Sequence, residues 1–189
     1  MSQYIIETAQ LGLRELTADD FEAWHKILSD PETMQHYPKP FDEEKTKGWI
    51  DWNLDNYQKY GFGLWAVILK ETGQFVGDCG ITMQNIHGDG VLYPEIGYHI
   101  SKDFQRRGFA SQAAKACLQY AFEHTENDEI FSYQKWTNIA SRKTAEKMGM
   151  SFREEYQDEK NTKTSVYSIT RLEYYDQSSH PKKHIIPVF

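Results

Sequence analysis

The sequence predicts an α/β domain in which six or seven mostly antiparallel strands are flanked by about four helices. Three observations carry this. Two apolar runs, Leu64 to Leu69 and Phe75 to Met83, flank Glu71-Thr72-Gly73-Gln74, the pattern of a β-hairpin with a Gly-containing turn. Val91 to Ser101 reads as a long strand, followed shortly by a glycine turn that opens a helix. That helix places small or apolar residues at Ala110, Ala113, Ala114, Cys117, Leu118 and Ala121, one face of an amphipathic helix.

The remaining elements follow in order. Leu13 to Leu16 alternates like a short strand, and Thr17-Ala18-Asp19-Asp20 has capping-box spacing, so a helix to about Ser29 is expected. Pro31, Pro38 and Pro40 break Asp30 to Phe41 into an irregular connection carrying Met34, His36 and Tyr37. A second helix fits Asp42 to about Tyr60, with Trp49, Trp52 and Tyr57 read as core aromatics. Gly97 lies inside the strand Val91 to Ser101, and a glycine there suggests a bulge. Glu129 to Tyr133 reads as a short strand, and Asn138 to Met148 as a helix stopped by Gly149. Phe152 to Tyr156 and Thr164 to Leu172 are the last strands, around the polar turn Asp158-Glu159-Lys160-Asn161. Beyond Tyr175 the chain turns polar, which sets a single domain at 1–175 and a peripheral tail at 176–189.

Composition limits the function classes. A length of 189 residues fits one core, and 39% apolar residues suffice to build it. Met1 to Glu7 lacks a basic region followed by an apolar one, and no run approaches a membrane span, so a cytoplasmic protein with no membrane partner is expected. Cys79 and Cys117 are too few for a disulfide framework and read as small buried hydrophobes. A net charge of −7 argues against nucleic acid as partner and suits a cationic acceptor such as an amine. The seven histidines show no H-E-x-x-H, and only His180 and His184 have paired spacing, in the tail, so no metal is expected. Monomer and homodimer are both compatible with the sequence.

The strand, the turn Gln105-Arg106-Arg107-Gly108-Phe109-Ala110 and the helix after it form a phosphate-site layout. A helix N-terminus presents unpaired N–H groups and partial positive charge, and a glycine lets an anion approach the backbone. Arg106 and Arg107 add two guanidinium groups able to pair with phosphates. Gly61-Phe62-Gly63 and Gly88-Asp89-Gly90 begin like a dinucleotide fingerprint but lack its third glycine and its helix.

Four segments in fixed order, Glu95 to Ser101, Gln105 to Ala110, Trp136 to Ser141 and Lys147 to Phe152, make the chain resemble the GNAT superfamily of N-acetyltransferases over roughly Leu11 to Tyr174. The branch it most resembles is the RimJ/RimL-like group, which acetylates ribosomal protein N-termini. Gln112 departs from that branch, whose members commonly carry glutamate there. The resemblance implies the GNAT fold, with the sheet splayed between strands 4 and 5, here Val91 to Ser101 and Glu129 to Tyr133. It implies acetyl-CoA as cosubstrate, its pyrophosphate on the backbone amides from Arg106 to Ser111 and its pantetheine arm along main-chain groups near His99 and Ile100. It also implies that Asn138 and Ser141, at i and i+3 on one helical face, point at the pantetheine and sulfur; Asn138 is equally an N-cap.

The chemistry expected is direct transfer of an acetyl group to a primary amine, a protein N-terminus or a small molecule such as a polyamine, amino acid or antibiotic. A non-catalytic acyl-CoA-binding module is the alternative of a different class. An α-amine with pKa about 8 costs only about 1 kcal/mol to deprotonate at neutral pH, a lysine about 4.6. Glu95 is the candidate base, with His99 as alternative. A main-chain N–H freed by a bulge near His99 is the candidate oxyanion donor. Ser141 is the candidate acid for the thiolate, with Tyr133, Tyr156 and Tyr167 left open. Asp30 to Phe41 and Tyr156 to Thr164 are expected to line the acceptor site, bringing Asp30, Glu32, Asp42, Asp158 and Glu159.

Overall fold

The computed structural model describes residues 4–179. Its centre is β3 (Leu64–Leu69), an unbroken apolar strand buried at every position, as a strand covered on both faces must be. The period-2 alternation of its side chains divides the interior. Trp65, Val67 and Leu69 join the core beneath α3 (Phe109–His124), while Leu64, Ala66 and Ile68 join a second core beneath α1 (Phe21–Leu28) and α2 (Glu43–Tyr60). The domain is thus a sheet between two helical layers.

The sheet has eight strands: β1 (Ile6–Glu7), β2 (Leu11–Glu15), β3, β4 (Gln74–Gln84), β5 (Tyr93–Ile100), β6 (Glu129–Lys135), β7 (Ser151–Asp158) and β8 (Thr162–Thr170). They lie in the order β1-β2-β3-β4-β5-β6-β8-β7. Every neighbouring pair is antiparallel except β5 and β6, which run parallel and share a single Cα pairing, Glu95 with Phe131. The sheet therefore splits at Glu95, and the rest of β5 leaves its β6-facing edge without a strand. This is the expected splay, between the strands numbered β5 and β6 once the short N-terminal strand is counted.

The α3 stripe behaves as its sequence requires: Ala113, Ala114, Cys117, Leu118 and Ala121 are buried, and small side chains let the helix lie close against the sheet. The fourth helix, α4 (Ile139–Lys147), starts at its Asn138 cap and ends before Gly149, whose φ of 89° is the left-handed conformation favoured just past a helix end. Two elements go beyond the sequence reading, β1 and the helix α5 (Arg171–Ser179). The strand expected to reach Leu172 stops at Thr170, because the Thr170 N–H donates to Glu173 Oε2 at 2.8 Å and the Glu173 N–H to Thr170 Oγ1 at 3.2 Å, a reciprocal cap that starts a helix. The boundary expected at Tyr175 falls inside α5; residues 180–189, with His180 and His184, lie outside the described residues.

The bulge expected at Gly97 is not there. The β4–β5 register runs without interruption from Gly77 opposite Ile100 to Gln84 opposite Tyr93, and register shifts lie instead between Val67 and Ile68 in the β3–β4 pairing and between Phe152 and Glu154 in the β7–β8 pairing. Glycine in this sheet serves close approach: a Cβ at Gly80 would stand 1.9 Å from the Gly63 carbonyl oxygen. Gly80→Ala is therefore expected to lower stability by about 3 kcal/mol in urea unfolding, since backbone rather than a movable side chain must yield. A loss under about 1 kcal/mol would show that the strand edges can part.

Candidate active site

Two cavities open along β5. The larger, about 400 Å³, lies between the unpaired end of β5, the turn before α3 and α4; the smaller, about 180 Å³, lies between the start of β5, β6 and the connection between α1 and α2. His36, Tyr37, Tyr98, His99, Asn138 and Ser141 line both, so the cavities meet at this group.

The larger cavity is built by the glycine turn. Gly108 is the N-cap of α3 with φ 84°, and no side chain caps the helix, so its first-turn amides face the cavity lined by Phe109, Ala110 and Ser111. A Cβ on Gly108 would meet nothing within 4 Å, so glycine is needed there for its left-handed conformation and for the open approach it leaves. Arg106 also has positive φ, 58°, and lines the cavity. Arg107 does not: its guanidinium lies 4.8 Å from the Phe109 ring centroid and 5.5 Å from that of Phe104. The sequence reading that gave both arginines to phosphate is corrected to Arg106, because stacking on two aromatic faces holds Arg107 away. Gln105 lines the cavity and donates from Nε2 to the Ile100 carbonyl at 3.0 Å, closing the turn onto β5. Lys143 and Lys147, one turn apart on α4, add two cations that the sequence reading passed over, although their i, i+4 spacing beside Asn138 and Ser141 was visible. An uncapped helix N-terminus with three cations around an elongated space suits a polyanionic ligand.

Asn138 fills its capping role, Oδ1 accepting from the Ser141 N–H at 3.1 Å. The Ser141 carbonyl accepts from the Tyr98 hydroxyl at 3.4 Å. Asn138 and Ser141 thus stand together at the junction, as their spacing indicated.

In the smaller cavity Glu95 is 7% exposed and accepts from Thr82 Oγ1 at 3.0 Å. Burial raises its pKa to about 7, with the Thr82 hydrogen bond and the charges of His99 and Lys160 pulling the other way. Trp49, Trp52, Tyr133, Lys135 and Lys160 also line this cavity. The segments expected to line this space do so through His36, Tyr37, Pro38, Lys160 and Asn161. Their acidic members do not, because each has a structural partner or lies elsewhere. Asp30 pairs with Lys102 at 2.8 Å, Asp42 caps α2 by accepting from the Lys45 N–H at 2.9 Å, and Asp158 accepts from the Asn161 N–H at 2.6 Å. Glu32 approaches Lys102 at 3.9 Å, and Glu159 is absent from the lining.

His99 is 8% exposed and engaged on both ring nitrogens. Nδ1 lies 3.0 Å from each oxygen of Asp78, a carboxylate fully buried on β4 that also accepts from Trp24 Nε1 at 2.6 Å. Nε2 lies 2.7 Å from the Tyr37 hydroxyl. Burial pulls the imidazole pKa down, but the charge of Asp78 and its hydrogen bond hold it above the ordinary value. Of the tyrosines left open as acids, Tyr133 lines the smaller cavity, whereas Tyr156 is bonded to the Ile86 carbonyl and Tyr167 accepts from Arg142 Nε at 3.2 Å, neither at a cavity wall. Tyr37 and Tyr98, not weighed as acids in the sequence, line both. With no bulge in β5, any main-chain donor near His99 comes from the splayed edge rather than from a broken ladder.

Cys79 and Cys117 lie Sγ to Sγ at 3.5 Å in the core, away from both cavities, and burial drives the Cys79 thiol pKa well up, so neither is an accessible nucleophile. Among the described residues no three His, Cys, Asp or Glu side chains group as metal ligands would, and no helix is long and apolar enough to cross a membrane. Gln112, the departure noted above, accepts from Thr8 Oγ1 at 2.7 Å and so ties α3 to the β1–β2 turn, outside the cavities.

Comparison with known proteins accords with this geometry. Residues 10–151 match the family described as acetyltransferase (GNAT) domain. The chain is 36% identical to YkkB of Bacillus subtilis over 67% of its own length and 72% of that protein's, and 31% identical to the N-acetyltransferase YnaD of the same organism over 77% and 81%. The solved structure of an acetyltransferase from Agrobacterium tumefaciens superposes with a TM-score of 0.76 at 27% identity, covering 89% of this chain and 95% of that one. A strand split open at Glu95 and an uncapped glycine turn before α3 are thus placed in a named lineage: the chain belongs to the acetyltransferase (GNAT) domain family, whose members are acetyltransferases that draw on acetyl-CoA.

Proposed function

We propose that the chain transfers an acetyl group from acetyl-CoA to the α-amino group of a small acceptor that itself carries an anionic group. The observation that carries the amine chemistry is Glu95: a buried carboxylate with pKa about 7, at the point where β5 and β6 part, in the wall of the smaller cavity. Such a group is half ionised at neutral pH and strong enough to accept a proton from an amine of pKa about 8, but poorly matched to a lysine of about 10.4. The larger cavity supports the donor reading. The amides of Arg106 to Ser111 would hold the diphosphate, with Arg106, Lys143 and Lys147 as counter-charges, and His99, Ile100, Asn138 and Ser141 would lie along the pantetheine. Bound there, the thioester supplies the acyl carbon; the protein's part is to orient it, hold the amine and take its proton.

The anionic feature of the acceptor rests on the smaller cavity's charges. Lys135 and Lys160 line it against the single carboxylate Glu95, and Trp49, Trp52 and Tyr133 offer aromatic faces. A polyamine would meet two like charges there. An α-amine with its own carboxylate or phosphate would pair with them. Acetylation of a protein N-terminus, the RimJ/RimL-like reading, shares the α-amine chemistry and is the alternative.

Three measurements test this. Release of free thiol from acetyl-CoA with a panel of amino acids, phosphorylated amines, polyamines and N-terminal peptides is expected to give the highest kcat/KM with the anionic amines. Lys135→Ala with Lys160→Ala should raise their KM about tenfold; best activity on a polyamine or a neutral peptide would overturn the anionic acceptor. Glu95→Gln should lower kcat by about 10²-fold or more. Because the base must be ionised, wild-type kcat should fall about tenfold per unit below pH 7. Gly108→Asp, placing a carboxylate at the α3 N-terminus, should weaken coenzyme A binding in calorimetry by at least about tenfold, or about 1.4 kcal/mol. Unchanged affinity would displace the diphosphate from this turn.

A further inference from the structure

The acetyl-transfer reading leaves the leaving thiolate without an assigned acid, and a buried chain of side chains at the junction of the cavities is available for the task. We propose that Tyr37 delivers a proton to the leaving sulfur, and that His99 and Asp78 form the relay that supplies it. The proposal rests on the acetyltransferase reading above and adds a residue that the sequence treated as part of an irregular connection.

The geometry is directional. Asp78 faces His99 Nδ1 with both oxygens at 3.0 Å, so that nitrogen carries a hydrogen in either charge state, and the exchangeable proton belongs to Nε2. Nε2 is 2.7 Å from the Tyr37 oxygen. When the imidazole is charged, Nε2–H donates to Tyr37 and leaves the tyrosine hydroxyl hydrogen free to point into the cavities it lines. When the imidazole is neutral, the tyrosine hydroxyl is consumed as donor to Nε2. The charged and titratable groups bearing on His99 are Asp78 on β4, Glu95 on β5 and Tyr37 on the α1–α2 connection, with the Trp49 ring of α2 packed 5.6 Å away. Both carboxylates favour the charged imidazole. The titratable groups whose charges bear on Tyr37 are Asp78, Glu95, Tyr133 and Tyr98.

The relay answers an energetic difficulty. A tyrosine of ordinary pKa about 10 is a weaker acid than a thiol of about 8.5, so it cannot by itself leave its proton on sulfur without cost. Burial beside Asp78 and Glu95 raises the Tyr37 pKa further. An imidazolium behind it removes the need for a tyrosinate, since the proton finally lost is the imidazolium's. In the balanced step the acceptor nitrogen forms a bond to the thioester carbonyl carbon and gives a proton to Glu95. The carbon–sulfur bond then breaks with its electron pair on sulfur, sulfur takes the Tyr37 proton, and Tyr37 takes the Nε2 proton of His99. His99 ends neutral with Nδ1–H on Asp78, Glu95 ends protonated, and solvent restores both. Among the described residues the titratable side chain hydrogen-bonded at Ser141 is Tyr98, pushed up to about 12 by burial, so Ser141 has no comparable proton source behind it.

Tyr37→Phe keeps the ring that packs edge-on against Phe41 at 5.8 Å and removes only the hydroxyl. It is expected to lower kcat by about 10²-fold, leave coenzyme A affinity in calorimetry within about twofold, and abolish the alkaline limb of the wild-type pH profile, which reports protonated His99. A histidine-ring NMR titration of the unliganded protein should show His99 titrating above its ordinary value. Asp78→Asn should move that titration and the alkaline limb down in pH together. A Tyr37→Phe rate within threefold of wild type, or a slowed variant whose alkaline limb is unmoved, would overturn the relay. Should Tyr37→Phe not fold, Asp78→Asn decides: a joint shift supports the relay and a fixed limb overturns it. Wild-type protein that transfers acetyl to no amine would overturn the functional reading itself, whereas an active wild type with an indifferent Tyr37 overturns the relay alone.

Discussion

One parallel pairing, Glu95 with Phe131, sets the rest of the molecule. Six of the seven neighbouring strand pairs are antiparallel, but β5 and β6 run the same way and share only that contact. The crossover from β5 to β6 through α3 makes them parallel, as a helical connection of this kind does. Divergence then exposes the edge of β5 to a cavity instead of a strand, and the helix that makes the crossover begins beside that edge with its amides uncapped. The uncapped end of α3, the open edge and the buried Glu95 at the fork are therefore consequences of one topological choice.

How much of this the sequence disclosed follows the range of the interactions. The glycine turn, the α3 stripe and the Asn138 cap are local, each written within one or two helical turns, and each was legible. The reciprocal cap between Thr170 and Glu173 was equally local and was passed over, so α5 was read as the end of a strand. The group around Asp78 was not legible in the same way. Trp24, Tyr37, Asp78 and His99 come from four separate elements, and nothing in the spacing of 24, 37, 78 and 99 marks them as neighbours. Net charge is likewise a property of the whole surface, while the smaller cavity is lined by two lysines and one carboxylate.

Asp78 deserves its place in energetic terms. A fully buried carboxylate is costly unless its lone pairs are satisfied, and removing one partner of such a set leaves the charge stranded. Trp24 and His99 supply the donors, and His99 in turn needs an acceptor or donor at Nε2, which Tyr37 provides. The network ties α1, the α1–α2 connection, β4 and β5 together through hydrogen bonds that hold only in one arrangement. An apolar core of the same shape would serve stability as well; what a polar one adds is a fixed orientation for the Tyr37 hydroxyl at the meeting of the two cavities.

Glu95, Gly97 and His99 occupy alternate positions of β5 and so share one face of the sheet. The glycine leaves room for the glutamate: a Cβ at Gly97 would stand 3.2 Å from Glu95 Oε2 and 3.6 Å from Leu64 Cδ2. That is a reason for glycine quite different from a bulge. Four residues of extended strand separate the Cα atoms of Glu95 and His99 by about 13 Å, at ~3.3 Å per residue. The proposed mechanism accordingly sets Glu95 by the amine and His99 behind Tyr37. Both nitrogens of His99 are already engaged, and Glu95 is the single carboxylate among the side chains that line the smaller cavity. In the proposed mechanism the base Glu95 and the relay His99 thus lie along a single strand, and the strand's own repeat fixes their separation, while Tyr37 reaches His99 from the α1–α2 connection.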